Sequence, residues 1–388
     1  ATNDFHGSIM ENGNQMGLKK WGSFLKERSN ERNTLLIDQG DTWQGSIYSN
    51  YNHGALITDV MNCIQFDART VGNHDFDWGV DYLIANGQRE YDGYTTPTLA
   101  ANVFDYNFLN KTTGTTQQSN IGKKSVTYTL ENGLKVGIVG VIGKEQITSI
   151  TSSYVQDIAF TDHIHAIKQE AKQLREEGCD IVIASCHASQ DDLLGNSLYD
   201  YVDLVLCGHS HRSENAREGR LNYAQFGSYG NYIGKIELEY NTETNIVTKT
   251  KITSLDSNYV STELNMVDST IASIVDTYNQ ECDEEANVVV ANNVSGYFAS
   301  SASGGDNVAT MSNVMCKAIY DYSKQEGYDV DLATVNQARS YISSNQWTYS
   351  DIYRSFPFDN QVYIAEITGE EMINEVATYN YVYKSPDF

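Results

Sequence analysis

Proline is almost missing from this 388-residue chain, at 3 residues against 29 glycines. That composition fits neither a collagen-like repeat nor a disordered proline-rich chain. Long apolar runs are missing as well. A membrane-crossing helix needs roughly 20 apolar residues in a row, and the longest candidate, Val136 to Ile142, is only strand-length. No transmembrane segment is therefore expected in the sequence at hand. Basic residues are scarce: 26 Lys plus Arg stand against 51 Asp plus Glu, a net charge of −25. So acidic a surface repels nucleic acid and anionic membranes at long range, which argues against a nucleic-acid polymer as partner. None of the six cysteines forms a C-x-x-C pair, so zinc-ribbon and thioredoxin patterns are excluded, and a disulfide framework would need denser cysteines. Cys186 and Cys207 sit in apolar runs and read as small buried hydrophobes. Residue 1 is Ala and enters a motif directly, without Met, signal peptide or first strand, so a processed or trimmed N-terminus is expected.

What is present is a globular composition, 40% hydrophobic and 20% charged, long enough for two or three domains. From residue 1 to about 253 short apolar runs alternate with helical stretches, the mark of an α/β domain. Strands are expected at Thr34 to Asp38, Leu134 to Ile142, Asp180 to Ser185 and Asp203 to Cys207. Three more, Leu221 to Phe226, Ile233 to Tyr240 and Val247 to Ile252, follow one another without helices and suggest an antiparallel end to the sheet. Three- and four-residue apolar spacing predicts helices at Met16 to Arg28, Ala55 to Cys63 and His163 to Glu177. Asn265 to Glu284 reads as an amphipathic interdomain helix with Met266, Ile271, Ile274, Val275 and Tyr278 as its stripe. A second α/β stretch follows, with strands at Val288 to Ala291, Val330 to Val335 and Gln361 to Ile367 and a helix near Ala309 to Lys324. The expected division is 1–253, 254–287 and 288–388.

Histidine carries the chemistry. Five of the eight lie in short polar motifs at or beside strand-like runs. Asp4-Phe5-His6 places two ligand types at i and i+2, which on an extended chain share one side. Gly40-Asp41 closes the strand Thr34 to Asp38. Gly72-Asn73-His74-Asp75 follows Ala68 to Val71, His187 follows Asp180 to Ser185, and Gly208-His209-Ser210-His211 follows Asp203 to Cys207. Carboxylate, amide and imidazole groups at the carboxyl ends of strands form the crevice of an open α/β sheet. Mixed oxygen and nitrogen donors suit Zn, Mn, Fe or Co better than Ca. More than four ligands are available, so two ions are more economical than one, with Asp41 as the bridge. His53, His163 and His165 fall outside the pattern and read as surface or helix-start residues.

Together, Asp4-Phe5-His6, Gly40-Asp41-Thr-Trp-Gln-Gly45, Gly72-Asn-His-Asp-Phe-Asp77, Ser185-Cys-His187 and Gly208-His-Ser-His211 closely resemble the calcineurin-like dinuclear metallophosphoesterases, and among them the 5′-nucleotidase family. The resemblance implies an α/β protein: a metallophosphoesterase sandwich of two mixed β-sheets flanked by helices, a linker helix, and a smaller α/β C-terminal 5′-nucleotidase domain. It implies two divalent ions, Zn, Mn or similar, one held by Asp4, His6, Asp41 and His211 and the other by Asp41, Asn73, His187 and His209. It makes His74 and Asp77 the catalytic dyad, His74 meeting the phosphoryl oxygens and Asp77 orienting it. In the second domain Asn336-Gln-Ala-Arg339 and Phe356-Pro-Phe358-Asp-Asn360 resemble the nucleotide-binding loop and strand, giving Arg339 and Phe358 as substrate contacts with Asn102. Here the loop is shorter by two residues and has lost its glycines, and Val288 to Cys316 holds none of the family's early arginines. Tyr379, Tyr381, Tyr383 and Phe388 are candidates for a second base-stacking ring, and more of this domain is expected beyond Phe388.

The implied activity is hydrolysis of nucleoside 5′-monophosphates to nucleoside and phosphate by a metal-activated water, outside the cytoplasm (extracellular, periplasmic or cell-surface). Alternatives on the same domain are a 2′,3′-cyclic-nucleotide phosphodiesterase with 3′-nucleotidase activity and a UDP-sugar hydrolase. A non-catalytic nucleotide-binding module is the alternative from another class. Asp77 favours the nucleotidase over the cyclic phosphodiesterase, which tends to carry Asn there.

Overall fold

The computed structural model describes residues 1–105, 119–295, 305–378 and 382–384. The chain forms two compact units, Ala1–Gln280 and Glu281–Phe388.

In the first unit, Lys135–Ile142, Ile181–His187, Leu204–Leu206 and Leu221–Phe226 run parallel in a six-stranded sheet, with Ser125–Thr129 and Ser213–Glu218 as antiparallel edges. The central strands alternate apolar residues on both faces, as a sheet covered on both sides requires. Ile138, Ile183 and Leu206 face the three-stranded parallel sheet of Ile37–Asp38, Ala68–Thr70 and Thr98–Leu99, packing with Ile37, Ala68 and Leu99. Val139, Val182 and Val205 face the helix His163–Glu176, through its Ala166, Ile167, Ala171 and Leu174. Cys186 and Cys207 are buried in that same layer, and every cysteine is a free thiol. A third core joins the helices Gly17–Ser29 and Ala55–Ile64.

Several expectations change. Leu221–Phe226 does not open an antiparallel end: it lies parallel beside Leu204–Leu206, and its antiparallel neighbour is the polar strand Ser213–Glu218. Tyr232–Asn241 and Ile246–Asp256 pair with each other as a separate hairpin. The expected linker is two helices, Ser257–Glu263 and Ser269–Ala286. The second is no free spacer along its first half, because Ile271, Ile274 and Val275 are buried in the first unit's core. Tyr278 donates to Asp59 at 2.7 Å and accepts from Arg89 at 2.7 Å. His163 keeps the helix-start place expected of it, at the first position of its helix beside the capping Asp162, and is buried there.

The second unit has a small core of Met311, Ala338, Ile342 and Trp347. The helix Gly305–Gln325 and the short pair Val289–Ala291 with Trp347–Thr348 contribute to it, and Leu332–Thr334 pairs separately with Val382–Lys384. The helix Tyr349–Ser355 starts on a capping box of Thr348 and Asp351. Gln361 to Ile367, expected as a strand, is irregular and exposes Val362, Tyr363, Ile364 and Ile367. No strand pairs with it among the described residues, so its alternation has no ladder to act on. Tyr379, Tyr381 and Phe388 lie outside the described residues, and Tyr383 is described only as part of a strand backbone.

Candidate metal centre

The polar motifs converge where the parallel strands end. His187 is the last residue of its strand, His209 and His211 follow Leu204–Leu206, Asp41 follows Ile37–Asp38, and Asn73 and His74 follow Ala68–Thr70. Asp4 and His6 enter beside them, Thr2 bridging Asp38 and Asp4 N–H donating to Gly40 O at 3.0 Å.

Two donor sets result, Asp4 with His6 and His211, and Asp41 with His187 and His209, each with its ligand atoms within 4.8 Å of one another. In the first, His6 Nε2 and His211 Nε2 are 3.0 Å apart, with Asp4 Oδ1 at 3.9 and 3.5 Å from them. Asn73 Oδ1 joins the second set, 3.1 Å from both His187 Nε2 and His209 Nδ1. Asp41 Oδ2 lies between them, 3.1 Å from His187 Nε2 and 3.8 Å from His6 Nε2. That buried oxygen accepts no well-formed hydrogen bond among the described residues.

The residues fit a pair of divalent cations. His6 Nδ1 meets Gln44 O at 3.0 Å and His187 Nδ1 meets Gln39 O at 2.8 Å. A carbonyl only accepts, so both Nδ1 atoms carry a proton, and Nε2 is the atom each ring turns inward, the orientation metal-ligating histidines take. Two ring nitrogens meeting at 3.0 Å beside the Asp4 carboxylate, and an orphaned buried carboxylate oxygen on Asp41, form a donor set that cations would satisfy. Burial pushes Asp4 up to about 7, with His187 opposing it. Burial would raise Asp41 too, but His187, His74 and His6 hold it well below the usual carboxylate range. Burial works against charge on His187, yet Asp41 and Asp4 carry it to about 10.

Backbone strain concentrates here. Asp4, His6, Asp41, His209 and His211 all have positive φ, from 49° to 73°. Asp4 and His6 are therefore not on an extended chain, and the i, i+2 geometry expected of them does not apply. Each such residue costs on the order of 1–2 kcal/mol, a strain typical of functional sites. Two glycines allow the crowding: a Cβ at Gly72 would drive into the Asp41 carboxylate, and one at Gly45 into the His6 carbonyl.

His74 and Asp77 sit on the rim. His74 Nδ1 is 2.6 Å from Asp77 Oδ2, and His74 N–H donates to Asp41 Oδ1 at 2.8 Å. Burial disfavours charge on His74, but Asp41 and Asp77 outweigh it and raise its pKa. Behind them is a residue whose part the sequence did not disclose. Asp75 accepts from Gly72 N at 2.8 Å, Thr42 N at 3.2 Å and Arg69 Nη1 at 3.1 Å, tying the Asn73–His74 loop to the Asp41 loop.

Asn102, expected at the substrate, is wholly buried. Its amide nitrogen donates to Ile142 O and Thr161 O at 2.9 and 3.1 Å, and its oxygen accepts from Ile142 N at 3.1 Å. The amide is spent on clamping backbone and is a structural group here. In the second unit Arg339 stands over Phe358, 5.4 Å from guanidinium carbon to ring centroid, in a shallow cleft with Asn336, Phe356 and Asn360. Arg354 pairs with Asp351 at 2.7 Å on the surface.

Comparison with known proteins agrees with this geometry. Residues 1–213 match the calcineurin-like phosphoesterase family, and residues 288–384 match the 5′-nucleotidase C-terminal domain. Endonuclease YhcR of Bacillus subtilis is 24% identical across 96% of this chain and 32% of its own length. A 5′-nucleotidase of Diplobatis ommata is 31% identical across 54% of this chain and 36% of its own. The chain thus spans about a third of the length of these curated relatives. In fold it resembles the 5′-nucleotidase precursor of Thermus thermophilus, with a TM-score of 0.75 at 18% identity over 98% of this chain and 80% of that one. The NAD nucleotidase of Haemophilus influenzae gives 0.63 at 19% identity over 92% and 74%. The chain belongs to the calcineurin-like phosphoesterase family, and in it that domain is followed by a match to the 5′-nucleotidase C-terminal domain.

Proposed function

We propose that the protein hydrolyses phosphate monoesters, with nucleoside 5′-monophosphates as the preferred substrates. The observation that carries this reading is the meeting of the two donor sets with the His74–Asp77 pair, His74 being fixed to Asp41 through its own backbone. Hydrolysis joins a water oxygen to phosphorus and breaks the bond from phosphorus to the nucleoside 5′ oxygen, which leaves with a proton.

Two divalent ions bound by these residues would polarise the phosphoryl oxygens and supply a nucleophilic water. The protein's own groups do the rest. Asp77 holds the Nδ1 proton of His74, which leaves Nε2 to donate to a phosphoryl oxygen as negative charge accumulates. The raised pKa of His74 favours the imidazolium that such a donor needs. Arg339 and Phe358 supply a cation and a ring for the nucleotide. Base-on-aromatic stacking is worth roughly 1–3 kcal/mol. A location outside the cytoplasm, extracellular, periplasmic or at the cell surface, and a role in nucleotide catabolism rest on the family resemblance. No described helix is long and apolar enough to cross a membrane.

The test is hydrolysis of AMP, 2′,3′-cyclic AMP, UDP-glucose and p-nitrophenyl phosphate, read as the nucleoside, nucleotide, phenol and phosphate products formed, with Mn or Zn and then with chelator. Fast, chelator-sensitive turnover of AMP is expected. Turnover of only the cyclic or aryl substrate would retain the phosphoesterase and discard the reading of Arg339 and Phe358. No turnover with any metal would leave a binding module.

A further inference from the structure

The turn Gly227-Ser228-Tyr229-Gly230-Asn231 joins the strands Leu221–Phe226 and Tyr232–Asn241. It is fastened to the segment that carries Asp4 and His6. Asn3 donates to Gly227 O at 2.6 Å and accepts from Phe226 N at 2.9 Å, and Tyr229 N–H donates to Asp4 O at 2.7 Å. Tyr229 holds φ at +54° between two glycines that are also positive, Gly227 and Gly230. A bulky side chain rarely adopts that conformation, and an outlier of this kind at a site calls for a functional reason.

Its consequence is where the ring goes. The Tyr229 centroid is 5.3 Å from the His6 ring, inclined at 35°, and 5.4 Å from the His211 ring, edge-on at 83°. The two imidazoles are themselves 4.9 Å apart. Tyr229 therefore closes a trio of rings around the first donor set. The second set lacks such a partner: among the described residues, the rings of His187 and His209 meet only each other, at 5.6 Å. Within the first set the His211 side chain is 31% exposed, against 0% and 1% for Asp4 and His6, so it has most need of a wall. Imidazole rotation about χ2 is soft, and an aromatic neighbour packed edge-on restrains it. The ring also favours the positive charge an imidazole gains on a cation.

We propose that Tyr229 is a positioning residue for the ion site of Asp4, His6 and His211, its ring setting the pose of both imidazoles and strengthening this site alone. The inference rests on the two-ion reading given under Proposed function. It is tested by titrating metal-stripped wild-type, Tyr229→Phe and Tyr229→Ala protein with Co²⁺, reading the visible absorption of the bound ion and the ions retained after dialysis. Wild type and Tyr229→Phe should bind two ions alike. Tyr229→Ala should keep one affinity and lose about tenfold or more in the other, the range for residues that orient metal ligands. Should Tyr229→Ala fail to fold, Tyr229→Gly removes the ring while relieving the positive φ. Two unchanged affinities in the ring-less variant would overturn this role alone. Equal weakening at both sites with a lower melting temperature would overturn it in favour of a general structural one. Fewer than two ions in wild type would overturn the ion-site reading and this inference with it.

Discussion

His74 Nδ1 and Asp77 Oδ2 lie 2.6 Å apart across one short turn, and the backbone N–H of the same His74 reaches Asp41 Oδ1 at 2.8 Å. One histidine is thus oriented by a carboxylate on its ring and indexed by its main chain to the carboxylate between the two donor sets.

Replacing His74 with Ala should lower kcat roughly 10²–10⁴-fold, the contribution of a positioned acid–base group, while the bound metal is unchanged. Asp77→Asn should cost less, because the imidazole remains in place with a weaker partner. Steady-state kinetics with metal analysis on the same samples checks both. Loss of metal in His74→Ala would assign His74 to the ligand set instead.

Arg69 and Asp75 form a buried ion pair at 3.1 Å, with the Arg69 guanidinium 4.0 Å from the Trp43 ring centroid. Arg69→Met leaves the Asp75 carboxylate buried and unpaired, which costs about 3–5 kcal/mol and should lower Tm by roughly 10 °C. Arg354→Met, which removes an exposed pair with Asp351, should shift Tm by no more than about 2 °C. Equal shifts in a thermal scan would contradict the buried pair's role in holding the two loops.

Asp67 is largely buried, its carboxylate accepting from Leu36 N at 2.7 Å, and burial pushes its pKa up to about 6 from 3.8. The native state therefore holds this proton more tightly than the unfolded chain. The stability linked to it is full below about pH 4 and lost as pH rises through about 6. Asp67→Asn should gain on wild type by on the order of 1–2 kcal/mol between pH 4.5 and pH 7.5, after allowance for partial exposure. Urea midpoints at the two pH values measure this; an unchanged difference would contradict it.

Phe358→Ala should raise KM for AMP about tenfold, as the loss of one stacking face requires, and leave p-nitrophenyl phosphate hydrolysis unchanged. Equal loss on both substrates would place Phe358 in the fold of its unit rather than at the nucleotide.

The convergence of the candidate ligand motifs was legible because each puts carboxylate, amide or imidazole where an apolar strand stops, and parallel strands end on one side of the sheet. Asp41, His187 and His209 needed only that rule. The backbone that aims them was not legible: nothing in Asp4-Phe5-His6 announces φ of +49° at both ligands, since local sequence carries little of a strain that surrounding packing imposes. Sheet order was hidden for a related reason. Ser213–Glu218 alternates exposed and half-buried residues with almost no apolar signal, so an edge strand made by pairing alone leaves no pattern. Asn102 was misplaced because an asparagine that clamps backbone and one that meets substrate look alike in sequence. The approach of the Tyr229 ring to His6 and His211 left no signal either, because a Gly-Ser-Tyr-Gly run reads as an ordinary turn.

The most direct measurement is the number of divalent ions per chain required for phosphate release, obtained by titrating stripped wild-type and Asp41→Ala protein with Mn²⁺ or Zn²⁺ while following p-nitrophenyl phosphate hydrolysis. We expect activity in wild type to saturate at two ions per chain and vanish with chelator, and Asp41→Ala, which removes the carboxylate oxygen that lies between the two donor sets, to lose turnover and to weaken both ions. Turnover that persists in chelator, or full activity of Asp41→Ala, would contradict the two-ion centre.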